Sequence, residues 1–276
     1  MMQAGLVAAL LCLLLHHSTA NAAEADISAA KPAGNGFVVH EVKSGSQARA
    51  TRIFVRVPDQ MAVGERLPVL YLLPVEADDD KRWGDARAEA HRRELADRLR
   101  VIVVYPTFSH MPWYADHASD PRLRQESYFR EVVVPFVESA YPARGGKEAR
   151  LLLGFSKSGW GAFSLLLRHP DLFGKAASWD APMMMQTPRY GMAPIVGTQA
   201  NFERYRVATL LREEGKLLGG DKRLLLTGSN FYPADTAGAH ALMQRLGIPH
   251  DYRDGPRREH NWSSGWLVQA ARWLVR

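Results

Sequence analysis

Five short apolar runs, separated by amphipathic segments, constrain the fold of this chain most. They lack the alternation of a half-exposed strand and comprise residues 67–73, 101–105, 150–155, 176–179 and 223–227. Uninterrupted apolar strands are typical of parallel sheets covered by helices on both faces. We predict those helices over 81–99, 126–140, 236–246 and 265–275, and an opening antiparallel pair over 37–42 and 52–58. The sequence therefore predicts an α/β fold with a doubly wound, mostly parallel sheet and antiparallel strands at its N-terminal edge.

Length and composition indicate a single domain. The chain has 276 residues, 46% of them hydrophobic and 23% charged, which is enough to bury a full core without disulfides or metals. We predict a domain over 36–276, in which 182–221 forms either a small cap over the site or a surface excursion. The net charge is +6, but the arginines are scattered and no basic stripe with interleaved aromatics is present, so we expect no nucleic-acid partner.

The first 22 residues have the pattern of an export signal. Residues 6–15 form an apolar run too short to cross a bilayer, and an Ala-Asn-Ala cleavage pattern ends at Ala22. We predict cleavage after Ala22, or alternatively after Ala20, followed by a flexible leader over 23–35; an uncleaved anchor is the second interpretation. Cys12 is the only cysteine and lies in the signal, so the exported chain has no thiol chemistry. The expected location is periplasmic or extracellular, without a stable membrane anchor.

A serine lies where the apolar run 150–155 meets an amphipathic segment. A strand that turns at once into a helix strains the backbone at the turn and brings the two elements close together, so neighbouring residues must be small. Gly154, Ser158 and Gly159 meet that demand. The stretch is similar to the turn on which α/β-hydrolases expose a nucleophilic serine, here Ser156, although Ser158 replaces the last glycine of the usual Gly-x-Ser-x-Gly pattern.

A serine hydroxyl needs a base to remove its proton, and His260 is the preferred candidate. α/β-hydrolases place this histidine after the last strand, and His260 follows the strand-like segment 250–253 and precedes the last helix. The other histidines fall in the signal, in helices or in strands. His110 and His117, in the loop after 101–105, are the exceptions and stay as rivals.

The carboxylate that orients the histidine has two candidates. It normally follows the second strand after that of the nucleophile, but residues 229–232 contain no acid. Asp180 ends the strand 176–179 and is preferred, because that position lies at the carboxyl edge of the sheet. Asp235 is the alternative, although it precedes a helix and aspartate commonly caps helix N-termini. Asn230 is a third, weaker orienting group.

Acyl transfer also needs donors for the developing oxyanion. The backbone N–H of Lys157, at the helix N-terminus, is the natural first donor, and we expect the second from Val75 or Glu76 after the run 67–73. Three aromatic residues near the site either bind substrate or pack the rim of the site; they are Trp113, Tyr114 and Trp160.

These segments together resemble the esterase D-like branch of the α/β-hydrolases, the putative esterase family that includes feruloyl, acetyl xylan and enterochelin esterases and mycolyltransferases. The resemblance covers most of the exported chain and is carried by residues 69–73, 113–114, 126–129, 154–162, 168–174 and 260–262. Ser158, the Pro74-Val75 pair in place of His-Gly, and the missing acid near Asn230 depart from the family pattern. The resemblance implies an α/β-hydrolase fold and a serine esterase that needs no cofactor and no metal.

We therefore expect an exported serine esterase that hydrolyses a carboxylic ester through an acyl-enzyme. Its substrate would be a small molecule or a glycan-linked ester. An acyltransferase of the same fold would instead pass the acyl group to an alcohol or a sugar, and a non-catalytic relative would bind glycan without chemistry.

Overall fold

The strands form one continuous sheet. The computed structural model describes residues 25–228 and 230–276, so the predicted signal peptide lies outside the described residues. The strands of the described part are β1 Asp26–Ile27, β2 Lys31–Pro32, β3 Val38–Lys43, β4 Thr51–Arg56, β5 Val69–Leu72, β6 Ile102–Pro106, β7 Arg150–Phe155, β8 Lys175–Trp179, β9 Leu224–Thr227 and β10 His250–Arg253. Their order is β1-β3-β4-β6-β5-β7-β8-β9-β10, and β2 also pairs with β3.

The direction of the strands divides the sheet into two parts. β1 to β4 pair antiparallel at one edge, and β4 also joins β6 antiparallel. β5 to β10 run parallel. The predicted apolar runs become β5 to β9, and every residue of β5, β6 and β9 is buried. The predicted α/β class is therefore confirmed, including the antiparallel N-terminal edge.

The helices cover both faces of this sheet. They are α1 Ala86–Arg92, α2 Leu95–Leu99, α3 Gln125–Tyr128, α4 Val134–Ala140, α5 Ser156–Arg168, α6 Ala193–Val196, α7 Gln199–Tyr205, α8 Val207–Glu213, α9 Pro233–Leu246 and α10 Leu267–Leu274. A π-helical turn, Phe129–Val133, joins α3 to α4, and short 3-10 turns occupy Lys147–Ala149 and Gly215–Leu218. Within the described ranges, no helix has the length and apolar character needed to cross a bilayer.

Two predicted segments differ from the structure. The helix expected over 81–99 is two helices, because Glu94 adopts a left-handed backbone with φ 52° that ends the first and begins the second. Part of the leader expected to be flexible forms β1 and β2 instead. Two-residue strands are too short for a hydrophobic pattern, and Pro32 is compatible with an edge strand because it needs no ladder partner for a backbone N–H.

The segment 182–221 folds into α6, α7 and α8 on the α5 face of the sheet. α8 packs against α5 and α9. Met183 and Met185 are buried at 0% and 5% exposure and fill the core there, whereas Tyr190 is 49% exposed. The segment thus contributes core on one side and an exposed aromatic ring on the other.

Candidate active site

The predicted nucleophile lies on a strained junction between β7 and α5. Ser156 is the first residue of α5 and has a φ of 52°, in the left-handed region. A Cβ on Gly154 would lie 2.3 Å from the carbonyl oxygen of Ser158, and a Cβ on Gly159 would lie 2.3 Å from Ser178 Oγ. These glycines therefore permit the close approach of helix and strand that forces the serine into its conformation.

Ser158 has a structural reason to replace the usual glycine. Its hydroxyl donates to the carbonyl of Phe155 at 3.0 Å and accepts from the N–H of Phe155 at 3.1 Å. Phe155 is buried, and unpaired backbone groups there would cost free energy. The departure from the family pattern thus stabilises the turn immediately before Ser156.

The sheet register brings Ser156 and Asp180 side by side. Phe155 pairs with Trp179, and both strands are parallel, so the next residue of each leaves the same edge of the sheet. His260 Nδ1 lies 2.7 Å from Asp180 Oδ2. The side chains are buried, at 3% exposure for His260 and 0% for Asp180. The ring of His260 also lies 5.0 Å from that of Phe155, next to the turn.

Asp180 is held in its charged form by an unusual set of donors. Besides His260, the backbone N–H groups of Asn230, Phe231 and Tyr232 point at its carboxylate at 2.8 to 3.1 Å. Burial opposes the charged form, but the hydrogen bonds from His260 and these N–H groups outweigh it and lower the pKa of Asp180. A charged Asp180 can fix the imidazole orientation and stabilise an imidazolium.

The structure does not bring the alternative groups to His260. Asp235 accepts a hydrogen bond from the N–H of Met184 at 2.7 Å, and burial raises its pKa. Of the rival histidines, His110 contacts Ser109 Oγ, while His117 Nδ1 accepts from two backbone N–H groups of its own loop. Asn230 acts through its backbone on Asp180.

The predicted oxyanion loop lies against the start of α5. Val75 is buried, and the carboxylate of Glu76 accepts from Lys157 Nζ and from Trp83 Nε1, each at 2.9 Å. The backbone N–H of Lys157 belongs to the first turn of α5, where N–H groups have no partner within the helix. Side-chain contacts thus hold the loop beside a helix N-terminus that suits an anion.

The expected substrate-facing aromatic residues are core residues, which corrects that alternative. Trp113, Tyr114 and Trp160 are each 0% exposed. The rings of Trp113 and Trp160 pack edge-to-face at 5.5 Å, and Tyr114 OH donates to the carbonyl of Pro74 at 2.7 Å. Tyr114 fits because Gly161 has no side chain: a Cβ there would lie 2.1 Å from the ring. These residues therefore pack in the core against α5 and the segment that begins at Pro74.

Other aromatic residues surround the histidine at the surface. Phe231 is 57% exposed and stacks on His260, with ring centroids 4.5 Å apart. Trp83 meets the same imidazole edge-on at 5.0 Å, and the exposed ring of Tyr190 packs against Tyr232. The aromatic pair Phe231-Tyr232, in the segment 229–232 that carries no acid, was not predicted as part of the site. The signal was the position of Phe231 in the loop after the buried strand β9, which ends at Thr227.

Together, the sheet, the strained serine and the buried Asp–His pair at one sheet edge define the chain as an α/β-hydrolase. A family model described as putative esterase matches residues 44–216, and the chain belongs to that family. Two proteins from different strains of Mycobacterium tuberculosis, both described as esterases, are 28% identical over 137 residues. That match covers 48% of this chain but only 29% of each relative.

Solved structures of esterases share the fold. A ferulic acid esterase superposes with a TM-score of 0.70 at 21% identity, over 87% of this chain and 98% of the esterase. An S-formylglutathione hydrolase from Staphylococcus aureus gives a TM-score of 0.69 at 18% identity, with the same coverage of both chains. At identities of 18% and 21%, this structural similarity shows a shared fold alone.

Proposed function

We propose that this protein is a serine esterase whose catalytic residues are Ser156, His260 and Asp180. The observation that carries the proposal is the 2.7 Å contact between His260 Nδ1 and a buried, backbone-held Asp180, beside a serine at φ 52°. Membership of the putative esterase family supports it. Because Asp180 engages Nδ1, Nε2 is the ring nitrogen that would exchange protons with Ser156 Oγ.

The proposed reaction has two acyl-transfer steps. Ser156 Oγ attacks the ester carbonyl while His260 takes its proton, and the oxyanion accepts hydrogen bonds from the N–H of Lys157 and from the 75–76 backbone. Collapse of the tetrahedral intermediate breaks the ester C–O bond, and His260 returns the proton to the leaving alcohol. Water then attacks the acyl-serine with His260 as base, which releases the carboxylic acid and restores Ser156.

Replacing the nucleophile tests this proposal directly. Ser156→Ala should lower kcat for p-nitrophenyl acetate by about 10⁴-fold or more and abolish labelling by a fluorophosphonate, because no activated hydroxyl would be left. Ser139→Ala is the matched control, since this exposed serine contacts only its own helix. Turnover by Ser156→Ala at the rate of the parent would refute the proposal.

We further propose that the acyl or alcohol part of the substrate carries an aromatic or sugar ring. The exposed ring of Phe231, which stacks on His260, supports this, because flat apolar surfaces stack on both kinds of ring. The exposed ring of Tyr190 extends this surface, since it packs against Tyr232, whose ring lies 6.0 Å from that of His260. Phe231→Ala should raise KM for an aryl or glycosyl ester more than for ethyl acetate. Equal effects on both esters would reject a ring-binding role.

We also propose that the protein is exported, on the strength of the apolar run and cleavage pattern in residues 1–22. Expression of the full chain followed by cell fractionation and N-terminal sequencing should find the enzyme outside the cytoplasm, beginning at Ala23, or at Asn21 if cleavage follows Ala20. Full-length protein retained in the cytoplasm would contradict export while leaving the catalytic proposal intact.

A further inference from the structure

A buried ion pair stands directly beside the proposed nucleophile. Lys157 follows Ser156 in the chain, and its Nζ lies 2.9 Å from Glu76 Oε1. The two side chains are 11% and 9% exposed. No step of the proposed reaction uses either charge, and withdrawing both groups from water costs free energy that the mutual attraction must offset. The arrangement therefore calls for a role other than simple stabilisation.

The pair belongs to a network that spans the whole site. The same Glu76 oxygen accepts from Trp83 Nε1 at 2.9 Å, and the Trp83 ring meets His260 edge-on at 5.0 Å. The carbonyl of Trp83 in turn accepts from the N–H of Trp262, two residues after the histidine. One carboxylate thus connects the start of α5, the loop after β5 and the loop that bears His260.

The backbone on either side of the pair supplies the expected oxyanion donors. Lys157 contributes its own N–H, while the second donor comes from Val75 or Glu76 itself. The carbonyl of Pro74, the preceding residue, accepts a hydrogen bond from Tyr114 OH. Only Lys157 and Glu76 join the two donor segments by direct side-chain contact among the hydrogen bonds of the described residues. Donors of this kind lower a barrier only when they are fixed before charge develops.

We propose that Glu76 and Lys157 are positioning residues that hold the two halves of the oxyanion hole at a fixed separation. Through its hydrogen bond with Trp83 Nε1, Glu76 also keeps the Trp83 ring in contact with His260. This inference rests on the proposed esterase function and adds residues to it. The two charges sum to zero, so the pair fixes the geometry of the site without adding net charge to it. The pair should therefore stabilise the transition state more than the bound substrate.

Single substitutions should separate kcat from KM. Glu76→Gln and Lys157→Met should each lower kcat for p-nitrophenyl acetate on the order of 10- to 100-fold, because displacement of oxyanion donors weakens binding of the transition state. KM should change little. Affinity for a phenylboronic acid, which forms a tetrahedral adduct with the serine, should fall in parallel with kcat. Lys157→Arg keeps charge and donor and should restore most of the activity.

The double variant Glu76→Gln/Lys157→Met distinguishes positioning from folding. It removes both charges, so it should recover the thermal stability that each single variant loses, whereas kcat should stay low because the contact is still missing. Glu138→Gln is the matched control: it breaks a half-buried pair with Arg150, at the far end of the strand that leads to Ser156. This control should lose stability and keep kcat.

Three results would overturn the inference. They are parental kcat in Glu76→Gln, recovery of kcat together with stability in the double variant, and a loss confined to KM. Each of these can occur while Ser156→Ala is inactive, in which case the esterase proposal survives alone. If Ser156→Ala retains parental turnover, the esterase proposal itself is wrong.

Discussion

At the scale of single residues, the environment of Asp180 is the most informative feature. Three consecutive backbone N–H groups and the imidazole of His260 converge on its carboxylate. The sequence predicted Ser156 and His260 from their places at strand ends, but it left Asp180 and Asp235 open as alternatives. The reason is physical. The hydrogen bonds that distinguish Asp180 from Asp235 come from the backbone N–H groups of Asn230, Phe231 and Tyr232, and the direction of a backbone N–H cannot be predicted from the pattern of side chains.

Substitution of the two aspartates tests this assignment. Asp180→Asn should lower kcat by about 10⁴-fold, because an amide cannot stabilise the imidazolium and favours the wrong tautomer of His260. Asp235→Asn is the control and should change kcat little, since Asp235 contacts the N–H of Met184 instead. Steady-state hydrolysis of p-nitrophenyl acetate by both folded variants measures the difference. A larger loss in Asp235→Asn would reverse the assignment.

At the scale of elements, the junction of β7 with α5 was predictable and the surrounding loops were not. An apolar run, a serine and small residues mark the junction in the sequence. The role of Ser158 was hidden, because its hydroxyl satisfies the backbone of Phe155, three residues earlier. The left-handed turn at Glu94 was hidden as well, since glutamate is a good helix former and its side chain gives no sign of a break.

Ser158→Ala tests the support of this junction. The substitution leaves the buried N–H and carbonyl of Phe155 unpaired and should lower the free energy of unfolding by about 1–3 kcal/mol. It should also lower kcat, because Ser156 is held in strained backbone by this turn. Urea denaturation and ester hydrolysis give the two values. Ser164→Ala is the control, since this serine in the same helix bonds the carbonyl of Tyr205 and should affect stability alone.

At the scale of the whole molecule, the hydrophobic pattern predicted the order of strands and helices because both faces of a parallel sheet must be buried. Alternate residues of β5 show the result: Val69 and Tyr71 enter one core, and Leu70 and Leu72 enter the other. The pattern carried no information on polar contacts between distant elements. Such contacts, which join α3, α5 and α7, depend on tertiary geometry.

One of those contacts makes the stability of the molecule depend on pH. Glu126, in α3, is buried and accepts hydrogen bonds from Arg168, His169 and Tyr205. Burial disfavours its charged form, but the partners His169 and Arg168 outweigh burial and lower its pKa from 4.5 to about 2. Because the folded state holds this proton less tightly than the unfolded state, the stabilisation is present above pH 4.5 and is lost as pH falls towards 2.

A shift from 4.5 to about 2 corresponds to about 3 kcal/mol at neutral pH, at about 1.4 kcal/mol per pH unit. Glu126→Gln should therefore lower the free energy of unfolding at pH 7 by an amount of that order and flatten its decline between pH 4.5 and 2. Urea titrations across this range measure both effects. Glu131→Gln serves as control, because Glu131 lies 3.8 Å from Arg130 on an exposed surface. If the free energy of unfolding of Glu126→Gln declines with falling pH as steeply as that of the parent, protonation of Glu126 does not govern acid unfolding. Other carboxylates would then be responsible.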